Sequence, residues 1–441
     1  MQNKILKGIT SYEKKGHIPE WVKTSGCKLT LIIRLLLVVM AFMPQILSAK
    51  SGYRHLPVAE YRDKMKGAWL GQMIGVGWGD ITEGKFNFKI IPEEKMPLWK
   101  PEMVNQYNND DCYVEMTFMK TLATYGFDVS IRQAGIDFAN SGYGLWHANK
   151  AGRDNLRKGI GPPDSGHPQF NGHADDIDYQ IEADYSGIIA PGLPNTAIAL
   201  GEKFGRLMNY GDGVYAGHFI GGMYAEAYFE SDPWKIVEAG LKCLPRDSQY
   251  AEMVRDLMEW CRTNPDWTRT WQLADEKYHK DRRYYAHLCG LDVKLNGAYV
   301  IMGLLYGRND LDKTIVTSCR CGFDSDCNPA NAAGVLGAIL GASKIPARFT
   351  EKLDATRKYS FSDYTLPQVC DLSEKLARQA VIRAGGRIEK DANGEDVFVI
   401  PVQKPKPSAL ERSWQPGPIA NSTFTSEEMA KIKQFEEKKK Q

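Results

Sequence analysis

Between Tyr61 and Arg383 the apolar residues recur at three- and four-residue spacing, the period of one helix face. The clearest stretches predict helices over residues 112–125, 197–208, 214–229, 233–243, 251–262, 297–306 and 329–342. Strand alternation is scarce until after Gly386, where RIEKDANGEDVFVIPVQ places an Asn393-Gly394 turn between short alternating runs and predicts a terminal β-hairpin. The connections carry Gly and Pro, as in GIGPPDSGHPQFNGH from Gly159 and IIAPGLPN from Ile188, where a helix must stop or the backbone needs special dihedrals. The pattern predicts an all-α bundle with long loops over residues 50–385. A small hairpin and a polar tail follow over 386–441, ending in the charge-rich EEMAKIKQFEEKKKQ, read as a solvated tail or a short exposed helix.

One run breaks this pattern. LTLIIRLLLVVMAFMPQILSA, from Leu29 to Ala49, follows a Lys-containing stretch and is interrupted by Arg34. About 12 apolar residues then remain before Ser48 and Ala49, the length of a secretory core and short of the ~20 that span a bilayer. Residues 1–49 are read as a cleaved signal to the periplasm or the exterior, with an uncleaved membrane anchor as the alternative. Contact with a membrane is expected only through this segment, if it is retained.

Composition narrows the functions. The 441 residues are 43% hydrophobic and 25% charged, enough apolar mass for a large core. Lys plus Arg number 56 and Asp plus Glu 54, a net charge of +2, so no basic excess awaits a nucleic acid. Nine cysteines contain no CxxC pair, which excludes a zinc ribbon and a thioredoxin-type motif, and most read as small buried hydrophobes. His218, on an apolar helical stretch, reads as a satisfied core residue.

Two acidic clusters more than 200 positions apart share a format: Asn109-Asp110-Asp111-Cys112 and Asp324-Ser325-Asp326-Cys327, each directly before a helical stretch. For an isolated cluster the ordinary reading is helix capping. Here each helix start offers more acids than a cap needs. If the two ends converge, Asp110, Asp111, Asp324 and Asp326 form an all-oxygen site suited to Mg²⁺, Mn²⁺ or Ca²⁺, and their repulsion calls for one ion or two. Gly67, Gly71, Gly75 and Gly79 make a stripe at strict four-residue spacing that leads to Glu83, and the stretch after Asp326 is also rich in Gly and Ala. Because helical glycines are unfavourable, both stripes imply close backbone packing. A thiolate nucleophile at Cys112 or Cys327 has the helix dipole in its favour and the neighbouring carboxylates against it. The stretch from Trp146 to Asn195 holds His167, His173, Asp175, Asp176, Asp178, Gln180, Glu182 and Asp184, and reads either as a pocket-shaping loop or as a solvated acidic one. Trp146 as a stacking surface, with His173 and Asp176 as hydrogen-bonding groups, are its substrate-side candidates.

The three motifs in this order, Gly67 through Glu83, Asn109-Asp110-Asp111 and Gly322-Phe323-Asp324-Ser325-Asp326-Cys327, resemble those of the ADP-ribosylglycohydrolases, a family with a glycine-spaced helix leading to a glutamate, a TDD-type motif and a GGDTDT motif. The likeness covers residues from about 60 to 350, and DSDCN is close to the DTDCN of a bacterial branch. It implies an all-α orthogonal bundle and hydrolysis of an N- or O-glycosyl bond in an ADP-ribose-type small molecule. It also implies a dinuclear Mg²⁺ or Mn²⁺ centre on Asn109, Asp110, Asp111, Asp324 and Asp326, with Glu83 and Asp111 as catalytic groups. Asn109 and Cys327 stand where better-known members carry metal-binding threonines. An exported enzyme also has a rival substrate, an extracellular glycoside or nucleoside outside the ADP-ribose class, and a catalytically silent ligand-binding module is the alternative of a different kind.

Overall fold

In the computed structural model, which describes residues 52–284 and 291–433, the chain enters as a short strand, β1 (Tyr53–Pro57), and turns directly into α1 (Val58–Gly79). The range 1–49, read above as a signal or anchor, lies outside the described residues. After a loop come α2 (Asp110–Tyr125), α3 (Ile131–Ala139), α4 (His147–Arg157), two single turns, α5 (Asp178–Ile181) and α6 (Asp184–Ile188), then α7 (Pro194–Phe204) and α8 (Asp212–Ala227). The second half supplies α9 (Pro233–Leu241), α10 (Gln249–Thr263), α11 (Trp267–Ala274), α12 (Val293–Gly307), α13 (Leu311–Arg320), α14 (Cys327–Leu340) and α15 (Leu366–Arg383). A hairpin of β2 (Arg387–Lys390) and β3 (Asp396–Pro401) follows, and α16 (Ser426–Met429) is a last turn. Many starts are fixed locally: the side chains of Ser130, Asp232, Ser248, Asp266 and Asp310 accept the orphan amide donors of α3, α9, α10, α11 and α13. Among the described residues no helix is long and apolar enough to cross a membrane.

The glycine stripe does what its spacing predicts. A Cβ on Gly67, Gly71, Gly75 or Gly79 would stand 2.3, 2.1, 2.3 and 1.9 Å from the carbonyl oxygens of Gly337, Ala333, Pro329 and Ser325. As one series rises the other falls, so α1 and α14 run antiparallel in backbone contact. Dispersion and burial accumulate along the whole seam at a separation only glycine permits. The C-terminus of α1 is thereby delivered to the N-terminus of α14. Both helices, with α8 and α12, are buried on nearly all faces.

The sheet has one strand more than the pattern predicts. β3 is central, pairing antiparallel with β2 through the Asn393-Gly394 turn and with β1, where Arg54 faces Ile400 and Leu56 faces Phe398. β1 is five residues long with one fully buried side chain, too short for its alternation to register, and its partner lies at the far end of the chain. The tail also departs from expectation. Residues 402–433 lie along the body as an extended strap: Tyr215 Oη donates to the Ala409 carbonyl at 2.7 Å, Arg206 pairs with Glu411 at 2.9 Å, and the Asp164 carboxylate accepts the amides of Ala420 and Ser422 at 2.7 Å each. Its polar groups are matched by groups on the body, and Phe424 and Ile432 are buried beneath it.

Candidate active site

The junction of α1 and α14 is shaped by a tight turn. Gly322 and Phe323 both adopt left-handed backbone, with φ of 79° and 64°, and a Cβ on Gly322 would stand 2.5 Å from the Phe86 carbonyl oxygen. Only glycine fits there, and the turn sets Asp324, Ser325 and Asp326 directly ahead of α14. Thr82, just past α1, ties the two helices together: its hydroxyl bonds the Gly79 carbonyl at 2.8 Å and the Ser325 hydroxyl at 2.9 Å. The start of α2 closes the third side. Asn109 caps it, Oδ1 accepting from the Asp111 amide at 3.0 Å, while its Nδ2 donates to Asp326 Oδ2 at 3.0 Å. One amide side chain thus bridges two helix N-termini.

Capping does not account for the aspartates. Asn109 is the cap of α2, and Asp326, at the cap position of α14, makes no capping bond with its side chain. Asp111, Asp324 and Asp326 are 0%, 6% and 1% exposed. Both carboxylate oxygens of Asp111, Oδ2 of Asp324 and Oδ1 of Asp326 have no hydrogen-bond partner among the described residues. Ligand atoms of Asp110, Asp111 and Cys327, and of Asp324, Asp326 and Cys327, gather within 4.8 Å in each set. Desolvation, and then the charge of Asp326, pushes Asp110 up to about 6 and Asp324 well above the ordinary range; Asp111 rises well above it by burial and then the charge of Asp110. Glu83 sits at the solvent-facing rim, its carboxyl raised to about 7 by desolvation and then by Asp326, Asp110 and Asp80.

Sequence comparison agrees with this arrangement: the profile of the ADP-ribosylglycohydrolase family matches residues 57–385. The chain belongs to the ADP-ribosylglycohydrolase family. No curated protein matches it. A solved structure described as an "ADP-ribosylglycohydrolase-related protein complex" aligns over 73% of this chain and 99% of that chain, with 16% identity and a TM-score of 0.46.

Membership of this family supports a hydrolase acting on glycosyl bonds. The divalent ions that the resemblance implies fit the donors present, because unpartnered buried carboxylate oxygens on three aspartates are the hard ligands such ions take. The two positions that depart from the family motifs do not supply free hydroxyl oxygens: Asn109 is engaged through both ends of its amide, and Cys327 is a buried thiol. Burial, then Asp111, pushes Cys327 far up, and burial with Asp111 and Glu115 does the same to Cys112, the direction opposite to thiolate formation.

Beneath the aspartates lies a buried layer that the sequence reading missed. Gln72 Nε2 donates to Glu115 Oε1 at 2.6 Å and to Asp184 Oδ2 at 3.1 Å. Tyr224 and Asn331 donate to Asp184 at 2.9 and 2.8 Å, and the Tyr185 amide donates to Glu115 at 2.6 Å. Burial holds Asp184 up at about 7 and Glu115 well above its usual range. Two signals point to this layer: Glu115 is one helical turn after Asp111, and Gln72 is the lone polar side chain within the small-residue stripe.

The stretch after Trp146 is not a solvated acidic loop. Asp164, Asp175, Asp176, Asp178, Glu182 and Asp184 are all buried, and Asp176, Asp178 and Glu182 meet residues of α4, a helix absent from the clear periodic stretches. Asp178 accepts the Ala148 and Asn149 amides at 3.2 and 2.9 Å and so caps α4 from a different element. His173 Nδ1 bonds Asp176 Oδ2 at 2.8 Å, and His147, which the sequence reading passed over, places Nδ1 3.1 Å from the same oxygen. His147 and Asp110 are close enough for their charges to interact, which puts this group beside the aspartate cluster. Trp146 is 57% exposed with its ring over Gly144. His167 serves the strap instead, with Nε2 3.0 Å from the Gly417 carbonyl oxygen. His218 is fully buried on α8, but it is not satisfied as expected: Nε2 lies 3.7 Å from Glu202 Oε1, and neither ring nitrogen has a hydrogen-bond partner among the described residues.

Proposed function

We propose that this chain hydrolyses an N- or O-glycosidic bond of an ADP-ribose-type small molecule in a divalent-metal-dependent reaction, and that residues 1–49 direct its export. The observation that carries the reading is the convergence of unpartnered carboxylate oxygens from α2 and from the turn before α14 in one buried place. Asp110, Asp111, Asp324 and Asp326 would hold the metal. A pair of Mg²⁺ or Mn²⁺ ions, when bound, supplies charge neutralisation, orientation of sugar hydroxyls and activation of water.

The remaining work falls to the chain itself. Glu83, at the rim with its carboxyl raised by burial and by the neighbouring carboxylates, is placed to give a proton to the leaving group or take one from water. Asp111 has two enclosed oxygens with no hydrogen-bond partner among the described residues, leaving one for a cation and one to orient the attacking water. Asn109 holds Asp326 in place through Nδ2. Trp146 offers an exposed aromatic face on which a sugar or base can stack.

A second substrate class, an extracellular glycoside or nucleoside outside the ADP-ribose group, is favoured by the apolar run ahead of the folded unit and by Asn109 and Cys327 in the motifs. The test is a panel of ADP-ribosyl compounds, ribosides and sugar glycosides incubated with the purified chain plus Mg²⁺ or Mn²⁺. Expected is turnover of one class that EDTA abolishes and that Asp324→Asn lowers at least 100-fold with an unchanged circular dichroism spectrum. Metal-dependent binding of panel compounds without hydrolysis of any of them would instead identify a binding module.

A further inference from the structure

We propose that His147, His173 and Asp176 bind a third divalent cation, of the nitrogen-preferring transition-metal class, for which zinc is the best match. The three residues come from the start of α4 and from the loop before α5, and one ligand atom from each lies within 4.8 Å of the others. Asp176 is 0% exposed and has no lysine or arginine partner among the described residues; the basic side chains beside it there are the two imidazoles. Its Oδ1 has no hydrogen-bond partner there either, so a buried carboxylate is left half satisfied.

Its other oxygen is flanked rather than simply bonded. His173 Nδ1 stands 2.8 Å away in hydrogen-bond geometry, whereas His147 Nδ1 stands 3.1 Å away without the alignment of a hydrogen bond. Ligand atoms on zinc bonds of about 2.0 to 2.1 Å are separated by roughly 3.3 Å at tetrahedral angles, and the two nitrogen–oxygen spacings of 2.8 and 3.1 Å are close to that. The rings meet at 82° with centroids 5.3 Å apart, so they do not stack on each other. Asp178 takes no part, because its two oxygens already receive the Ala148 and Asn149 amides. Both imidazoles are partly open, with side-chain exposures of 28% and 29%, leaving room for a water or a substrate oxygen as fourth ligand.

Donor chemistry separates this position from the aspartate cluster. Two imidazole nitrogens with one carboxylate favour zinc or a similar ion, while the four carboxylates of the aspartate cluster, with Cys327 as its one sulfur, favour Mg²⁺ or Mn²⁺. The proposal does not rest on glycosyl hydrolysis, since it is read by metal content. The metal-stripped chain is dialysed against Zn²⁺ in excess Mg²⁺, bound zinc is counted by elemental analysis, and crystals of the same sample are measured on both sides of the zinc absorption edge. Expected is one zinc per chain with an anomalous peak among His147, His173 and Asp176. His173→Ala and Asp176→Asn should weaken zinc retention at least tenfold, while Asp324→Asn leaves it unchanged. No retained zinc, a peak only at the aspartates, or loss of zinc through Asp324→Asn would overturn the proposal, and the anomalous map of the unaltered chain decides even if a variant fails to fold.

Discussion

Asp111 shows what a single residue can be asked to do. Its carboxylate is fully enclosed beside Asp110, and neither oxygen has a hydrogen-bond partner among the described residues, so the fold itself does not compensate its charge. Asp111→Asn keeps the volume and removes the charge. We expect the variant, in EDTA, to melt no lower than the parent, and to lose the rise in Tm that Mg²⁺ or Mn²⁺ gives the parent; thermal melts with and without metal check both. His218 makes a pH prediction with a definite sign. Burial pushes its pKa to about 4, against the pull of Glu202 and with the push of Arg206. The unfolded chain therefore binds a proton between about pH 6.5 and 4 that the fold refuses, and stability attributable to His218 falls as pH drops through that window, by about 3 kcal/mol in all. His218→Gln should flatten the acid limb of a denaturation series relative to the parent. Equal slopes for the two proteins would refute it.

At the scale of elements, the α1–α14 seam is the device that builds the site. Gly71 lies in the middle of the seam, with the Ala333 carbonyl oxygen 2.1 Å from where a Cβ would be. Gly71→Ala gains up to ~1 kcal/mol of helix propensity but forces two backbones apart, and the second effect wins: a net loss of about 2 to 3 kcal/mol is expected. Gly142→Ala, where no atom lies within 4 Å of the added carbon, should stay within about 0.5 kcal/mol and serves as the control in chemical denaturation. Separating α1 from α14 also moves Thr82 from Ser325, so the metal-dependent Tm rise should shrink in Gly71→Ala and not in Gly142→Ala.

For the whole molecule, the strap over residues 402–433 connects distant parts of the fold. Asp164 holds it by two short bonds to the backbone of Ala420 and Ser422, aided by the ion pair of Arg132 with Glu428. Asp164→Ala removes two charge-assisted bonds, worth about 3 kcal/mol together, and leaves those amides unpaired. Faster tryptic cleavage between residues 404 and 433, followed by mass spectrometry, is the expected result. This strap was not legible in the sequence because a segment rich in Pro, Lys and Ser looks the same whether water or a protein surface satisfies its polar groups. β1 was hidden for a related reason: five residues carry too little period, and their partner strand is at the other end of the chain.

The chain's order of residues by itself determined the helical class, the hairpin turn at Asn393-Gly394, the glycine stripe and the two aspartate-bearing helix starts, since these depend on local periodicity, turn chemistry and backbone conformation. Only the tertiary structure decided that Gly79 meets Ser325, that Asn109 reaches Asp326, and that His147 and His173 share Asp176. Such meetings join residues far apart along the chain, and burial, which strips water from their carboxylates, exists only once the helices have packed.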